Sequence, residues 1–373
     1  MLASSIFADG LHHLTATYEG NENYTSVDTL ITFEVLKSDP VVTITSEEET
    51  TKYGQDAHFT VELTNPYSTE DILAPTGHVW LTTNNADQPE WVAECTFVDS
   101  ADATSTYNCE SATLYANEAA HTLTVNYAGD DNYTSTEESS TRLDAPKELT
   151  TIEHQVDPFT PEVTVTQSLE TTQYGDEVTF TVTVVGTGNE GVEAPVGTVV
   201  LTSSAQEGWE LTCSTIENAE GAALTTYTCA GTSATLIADL HEITATFTPA
   251  DSFLGYNYTT ETGDITHEVI KQDPLMTLDA SPVDTNHYGE ETTFTVTLSG
   301  TDKVDSPATG AEVLAPSGEV TLHDSENPDW IVECTAPSAQ GVLGGVMYTC
   351  TGHSPLLSVG SHTITAVYEG DEN

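Results

Sequence analysis

The chain is nearly without positive charge. Six Lys and Arg stand against 60 Asp and Glu in 373 residues, a formal net charge of −54. Such a surface repels DNA, RNA and anionic membranes and draws cations. The acids are spread along the chain and form no tail. They admit two readings: solubility, including tolerance of salty water, or ligation of calcium by some of them. No run of 18 apolar residues occurs, so no stretch has the length of a membrane-spanning helix. The opening MLASSIFADG lacks a basic region and carries too short an apolar run for a secretory signal. GxSxG, HExxH and P-loop patterns are absent, as is any recognisable acid/base pair of carboxylates, so no enzyme activity is expected. CxxC spacing is absent too.

Cysteine itself is present, and it is paired. Cys95 and Cys109, Cys213 and Cys229, and Cys334 and Cys350 are spaced by 14, 16 and 16 residues. Each first Cys lies four residues after a Trp (Trp91, Trp209, Trp330) and each second lies two after a Tyr (Tyr107, Tyr227, Tyr348). That register suits disulfides across neighbouring strands. A closed loop of about 15 residues is worth roughly 3 kcal/mol in the chain-entropy model. Metal ligation competes poorly, since one pair supplies only two ligands. Disulfides imply an oxidising compartment, hence an extracellular or cell-surface location.

The sequence repeats. HTLTVNYAGDDNYT (121–134) recurs as HHLTATYEGNENYT (12–25), as HEITATFTPADSFLGYNYT (241–259) and as HTITAVYEGDEN (362–373). The leading residues His12, His121, His241 and His362 lie 109, 120 and 121 residues apart. A period near 120 marks tandem copies of one domain. Leu123, Val125 and Tyr127 alternate with Thr122, Thr124 and Asn126, the period of a half-buried strand. The stretch reads as a β-hairpin over 121–142, turning in its acidic segment. Around it, VVTITS (41–46), residues 51–64, 78–83, 91–98 and 105–114 read as further strands, with turns between and no helical period. About seven short strands in about 100 residues predict an all-β, immunoglobulin-like sandwich. The expected domains are 1–37 (the last strands of a repeat only), 40–146, 158–270 and 274–373 (lacking a final strand), arranged end to end. The two ends are out of phase with the domains. A window taken from a longer array explains this, and so does head-to-tail assembly in which TLITFEVL (29–36) of one chain completes the last domain of the next.

The phrases YGDEVTFTVTV, APVGTVVL and HTITAVYEGDEN, in this order and spacing, resemble the bacterial immunoglobulin-like repeats of large surface and adhesin proteins. The resemblance implies a segment of an extracellular fibre, stalk or filament, with neighbouring copies of the chain or repeat as partners. The alternative it leaves is an adhesin module that binds a host, cell-surface or glycan ligand through its loops.

Three site expectations follow. In such a sandwich the entering linker, the loop between strands two and three and the final hairpin turn share one end. This would gather Asp39, Glu70, Asp71, Asp130 and Asp131 in the first full repeat; Asp157, Glu190, Glu193 and Asp251 in the second; Asp273, Asp305, Asp371 and Glu372 in the third. Calcium takes about six to eight oxygens in flexible geometry, which such loops supply. Asn23, Asn132 and Asn257 head Asn-Tyr-Thr glycosylation sequons at one repeat position. The repeated histidines have no second His at ligand spacing and read as structural turn residues. Lys37 and Lys271 share a repeat position that Gln155 takes in the second copy, which argues against Lys–Asn crosslinks.

Overall fold

The computed structural model describes residues 7, 9–67, 72–110, 113–137, 149–189, 192–216, 223–232, 236–250, 257–283, 285–300, 316–335, 345–351 and 357–372. All regular elements among these are strands, as the period-2 pattern predicts. Contacts group the chain into two compact bodies: Met1–Thr160 with Gly186–Pro195 and Pro249–Thr259, and Pro161–Val185 with Val196–Thr248 and Thr260–Asn373.

In the first body, β1 (Gly10–Tyr18) and β2 (Val27–Val35) form an isolated antiparallel hairpin, Gly10 opposite Val35 and Tyr18 opposite Val27. A sandwich follows: β3 (Val41–Ser46), β4 (Thr50–Lys52), β5 (His58–Thr64), β6 (Val79–Thr83), β7 (Val92–Ala101), β8 (Thr104–Glu110), β9 (His121–Tyr127) and β10 (Thr151–Asp157). One layer runs β3-β5-β8-β7 and the other β7-β6-β9-β10-β4. β7 belongs to both: Val92–Glu94 pair with β6, and the run from Cys95 to Ala101 pairs with β8. β4 closes the second layer by running parallel to β10. This is the immunoglobulin-like strand order. Alternation places Val61 and Leu63 of β5, Leu81 of β6 and Leu123 and Val125 of β9 in the core at 0% exposure. Phe59 meets the His154 ring edge-on across the layers, centroids 5.2 Å apart.

The second body repeats this plan. β11 (Glu162–Gln167), β12 (Thr171–Gln173), β13 (Glu177–Val185), β14 (Gly197–Ser203), β15 (Glu210–Thr212), β16 (Ser214–Thr215), β17 (Leu224–Thr232), β18 (Leu240–Pro249) and β19 (Glu261–Ile270) make layers β11-β13-β17-β16 and β12-β19-β18-β14-β15. β20 (Leu275–Ser281), β21 (Thr293–Ser299), β22 (Val320–Asp324), β23 (Ile331–Glu333), β24 (Gly345–Thr351) and β25 (Ile364–Tyr368) make layers β20-β21-β24 and β23-β22-β25. The last set has a core of its own, with Val296 and Leu298 from one layer and Val320 and Leu322 from the other, closed by Trp330 and Tyr348.

One recurring anchor explains the Pro-x-Gly phrase of each repeat. Tyr107 donates its hydroxyl to Gly77 O (3.1 Å), Tyr227 to Gly197 O (3.3 Å) and Tyr348 to Gly318 O (3.0 Å). Burial raises the pKa of all three tyrosines. Gly77 sits at φ +122°, and a Cβ there would lie 2.8 Å from Gly129 O, so the position admits no side chain.

The first repeat corrects the sequence reading. Just after β9, Thr136 N donates to Tyr127 O (3.0 Å); the rest of the expected return strand, from residue 138 to 142, lies outside the described residues. The strand that lies against β9 is β10, residues 151–157, beyond the expected border at 146. A signal was present: Ile152-x-His154-x-Val156 matches Ile265-x-His267-x-Val269 of β19. Both histidines face a strand-opening histidine, His154 opposite His121 and His267 opposite His241. An insertion before β10 hid the match.

Candidate functional site

The cysteines lie where a strand changes layers. Cys95 and Cys109 are register partners, and their Sγ atoms are bonded at 2.01 Å. Cys213–Cys229 and Cys334–Cys350 are bonded likewise at 1.95 and 1.97 Å. Cys95–Cys109 thus joins neighbouring strands of one layer, whereas Cys213, between β15 and β16, is tied to β17, and Cys334, just after β23, is tied to β24 of the other layer.

Two of the repeated histidines, His121 and His241, are core groups at the heads of strands and not turn residues; His12 and His362 are half-buried. His121 and His241 are at most 1% exposed. His121 Nε2 meets Tyr115 O (2.8 Å) and Nδ1 meets Thr83 Oγ1 (3.3 Å). His241 meets Ile237 O (2.8 Å) and Ser203 Oγ (2.7 Å). His362 meets Ser358 O (2.8 Å) and Asp324 Oδ2 (2.8 Å). The facing partners of His121 and His241 tie β4 and β12 to their sheets: His154 Nε2 meets Thr51 Oγ1 (2.9 Å), and His267 Nε2 meets Thr172 Oγ1 (2.9 Å). Desolvation lowers the pKa of His154 and of His267, with the facing histidine adding to it.

The acids expected to hold calcium are arranged otherwise. Asp130 spends its carboxylate on its own loops. Oδ1 accepts from Asn132 N (2.7 Å) and Tyr133 N (2.8 Å), and Oδ2 from Thr76 N (2.7 Å) and Thr76 Oγ1 (3.0 Å). Four donors use the roughly four lone-pair sites of a carboxylate. Thr134 Oγ1 donates to Asp39. A cation is already supplied by the chain, since Lys37 Nζ donates to Asp130 O (2.5 Å). In the third repeat Asp371 Oδ2 accepts from Ser317 N (2.6 Å) and Oγ (3.2 Å), and Lys271 Nζ donates to Asp371 O. Glu70, Asp71, Glu190, Asp251 and Asp305 lie outside the described residues. Asp131, Asp273 and Glu372 enter no cluster of ligand atoms; the sole such group among the described residues is Glu47, Glu48 and His58. Among the described residues of these loops, the carboxylates of Asp130 and Asp371 are thus engaged by donors of the chain itself.

Asp157 is elsewhere altogether. It ends β10, opposite Lys52, and its carbonyl accepts from Tyr53 N (2.8 Å). Ser38 pairs with Tyr133 and Phe159 with Tyr258, so Thr160, not Asp157, is the counterpart of Asp39. By the same register Pro158, not Gln155, stands where Lys37 does. The Asp-Pro steps of the two linkers look alike in sequence but are offset by three residues in the fold.

The first body contains a joint that residue chemistry alone did not disclose. There, residues 186–189 and 192–195 and the turn at 257–259, all from the second repeat, pack on the turn at Tyr53-Gly54 that follows β4. Tyr53 is 1% exposed and Tyr258 5%. Their rings meet edge-on at 5.5 Å, with Tyr115 tilted at 6.3 Å. Tyr258 donates its hydroxyl to Glu193 O (2.6 Å), and Glu193 N donates to the Tyr53 hydroxyl (3.3 Å). Desolvation pushes Tyr53 up to about 12, Glu193 adding to it against the opposing backbone hydrogen bond; Tyr258 also rises, chiefly by burial. Asn257 Oδ1 accepts from Ala116 N (2.8 Å), and Asn189 Nδ2 donates to Gly54 O. A Cβ on Gly54 would lie 2.7 Å from the Thr187 side chain, at φ +81°. The linker joins by parallel pairing: Phe159 N donates to Asn257 O (2.8 Å) and Thr259 N to Phe159 O (3.0 Å). A glycan on Asn257 is excluded by this packing, because its side chain is 1% exposed and bonded. Asn23 is exposed and Asn132 half-buried.

Against known proteins, no family model matches the chain and no curated protein matches it. Solved structures do. The adhesin FdeC of Escherichia coli aligns at 17% identity over 91% of this chain and 96% of that one, TM-score 0.26. The Yersinia pseudotuberculosis adhesin InvE aligns at 13% identity over 69% and 68%, TM-score 0.29. A marsupial T cell receptor aligns at 10% identity over 88% and 99%, TM-score 0.25. Alignments this loose transfer no function. The fold stands on the strand pairing.

Proposed function

We propose that this chain is a spacing segment of an extracellular fibre, stalk or filament of tandem immunoglobulin-like domains, of the kind found in large bacterial surface proteins. The observation that carries the proposal is the joint at Tyr53 and Tyr258. A flexible tether leaves its linker free, whereas here the linker is hydrogen-bonded into the next turn and two aromatic rings are buried over it. Ring packing of this kind adds about 0.5–1.5 kcal/mol beyond area burial. The buried Asn257 amide and the Tyr53 and Tyr258 hydroxyls are each partnered at the joint, which favours one geometry over many. The three disulfides support an oxidising compartment for the chain. Described residues of 186–195 and the turn at 257–259 are taken up by the chain itself, which supports a spacer over a module that binds ligands through these loops.

Small-angle scattering tests the proposal. The chain carrying Tyr258→Ala and Asn257→Ala should show a broader distribution of maximal dimensions than the parent, with both sandwiches still folded by circular dichroism. Identical scattering from parent and variant would refute a stiffening role for the joint.

A further inference from the structure

The turn between β3 and β4 carries Glu47, Glu48 and Glu49, and β5 opens on His58 beside it. Glu47 N donates to His58 O (3.1 Å), one step beyond the β3–β5 ladder. His58 N donates to Glu48 Oε2 (3.4 Å). The backbone thus holds the three residues together. One carboxylate oxygen of Glu47, one of Glu48 and an imidazole nitrogen of His58 lie within 4.8 Å of one another.

The group is not a simple ion pair. An imidazole N–H bonded to a carboxylate comes within about 2.7–2.9 Å of it, and His78 and Glu94 form such a contact elsewhere on the first sandwich. His58 Nδ1 instead stays 3.7 Å from Glu48 Oε1 and is buried without a hydrogen-bond partner. A second nitrogen beside Glu48 is also uncommitted. His154 is 1% exposed, its Nδ1 has no partner, and Glu48 is the acid nearest to it.

The other sandwiches show this corner in a purely structural form. By register, Ser46, Glu47, Glu48 and His58 correspond to Gln167, Ser168, Leu169 and Thr179 in the second, and to Ala280, Ser281, Pro282 and Thr293 in the third. The second sandwich satisfies the corner internally. Ser168 Oγ accepts from Thr179 N (3.0 Å), and Gln167 Oε1 meets His267 Nδ1 (3.2 Å). In the first, Ser46 Oγ donates to Glu48 O (2.5 Å) and leaves His154 Nδ1 open. Four positions therefore change together. Three of them become metal-ligand types.

We infer that Glu47, Glu48 and His58 bind a divalent cation of the zinc class. An imidazole beside two carboxylates suits zinc, whereas calcium and magnesium take oxygen ligands. Zinc holds its ligands at about 2.0–2.2 Å in a tetrahedron, so they stand roughly 3.3 Å apart. The 3.7 Å between His58 Nδ1 and Glu48 Oε1 is already close to that spacing. The ion offsets the repulsion of two adjacent carboxylates in a chain of −54. Glu47 is exposed, so the ion enters from solvent, and its fourth position is left to water. Bound there, it closes the base of residues 47–58, which carry β4 and the turn at Tyr53-Gly54. Zinc binding goes beyond the spacer reading and does not rest on it.

Calorimetric titration of zinc chloride into the metal-stripped full chain tests this, with millimolar calcium present and about 0.15 M salt to screen the other acids. One equivalent should bind. His58→Thr and Glu47→Ser introduce the residues that the second sandwich carries at these positions, so the strand pairing is kept, and circular dichroism should match the parent. Each should weaken zinc binding at least roughly tenfold. His78→Thr, a like change outside the group, should leave binding unaltered. Zinc should also raise the melting midpoint of the parent chain and not that of the His58→Thr chain. Zinc binding that survives His58→Thr overturns the inference, and so does binding that excess calcium abolishes. A parent chain that takes up no zinc overturns it as well.

Discussion

Histidine is the residue on which this fold is most sensitive to acid. His154 and His267 are buried, each beside another histidine, with Glu48 as the acid nearest His154, and desolvation holds both below the usual value. Unfolded, each takes up a proton near ~6.5. Below that pH the unfolded chain binds more protons than the folded one, so stability is complete above about 6.5 and falls as the pH drops. His362 works in the opposite sense. Its bonds to Ser358 O and to Asp324 raise its pKa, so its contribution is present in acid and is lost as the pH rises through the raised value. Melting midpoints measured from about pH 7.5 down to about 5 should fall, and His154→Gln, which keeps a donor near Thr51, should flatten the decline. A midpoint independent of pH in the parent chain would contradict this account. Sequence alone showed these histidines as isolated and polar. Their burial arises from pairing across β9 and β10 and across β18 and β19, a relation between residues up to 33 positions apart.

At the scale of the strand, the disulfides act where β7 passes from one layer to the other. Val92–Glu94 hold β6, the residues from Cys95 hold β8, and the bond to Cys109 fixes the switch point. Replacing Cys95 and Cys109 together by Ser should lower the stability of the first sandwich by ~3 kcal/mol, from the loop-closure entropy of about 15 residues. Urea unfolding of that variant followed by tryptophan fluorescence measures the loss. A shift of the midpoint too small to resolve would mean that the strand pairs alone set the register. Strands were the most legible elements of this chain, because alternation of Leu123, Val125 and Tyr127 with Thr and Asn needs no tertiary knowledge. The closing strand of the first repeat was not legible in place, since extra sequence separates it from β9 compared with the second repeat. Its Ile-x-His-x-Val pattern identifies it only once His154 is seen opposite His121.

For the whole molecule the governing quantity is charge. At −54 the sandwiches repel themselves, and screening relieves this. Raising ionic strength from about 0.01 M to about 0.15 M shortens the screening length from ~30 Å to ~8 Å, so the melting temperature should rise. The joint loops use Asp130 and Asp371 to cap backbone N–H groups and place Lys37 and Lys271 against the turns. Calcium and sodium salts of equal ionic strength should therefore stabilise alike, and chelating added calcium should change neither the midpoint nor the scattering. A rise specific to calcium at low concentration would restore the metal to these loops.

Sequence by itself determined the class of fold, the period of the repeat and the partners of every cysteine. Each of these follows from local spacing, which the backbone geometry of a strand converts directly into a face or a neighbour. Tertiary structure decided what the charged and polar groups do. Asp130 is a loop cap, Asn257 a buried acceptor, Asp157 the end of a strand and Tyr53 the seat of a joint, because each role is set by which distant donor or ring lies opposite, and no spacing along the chain encodes that.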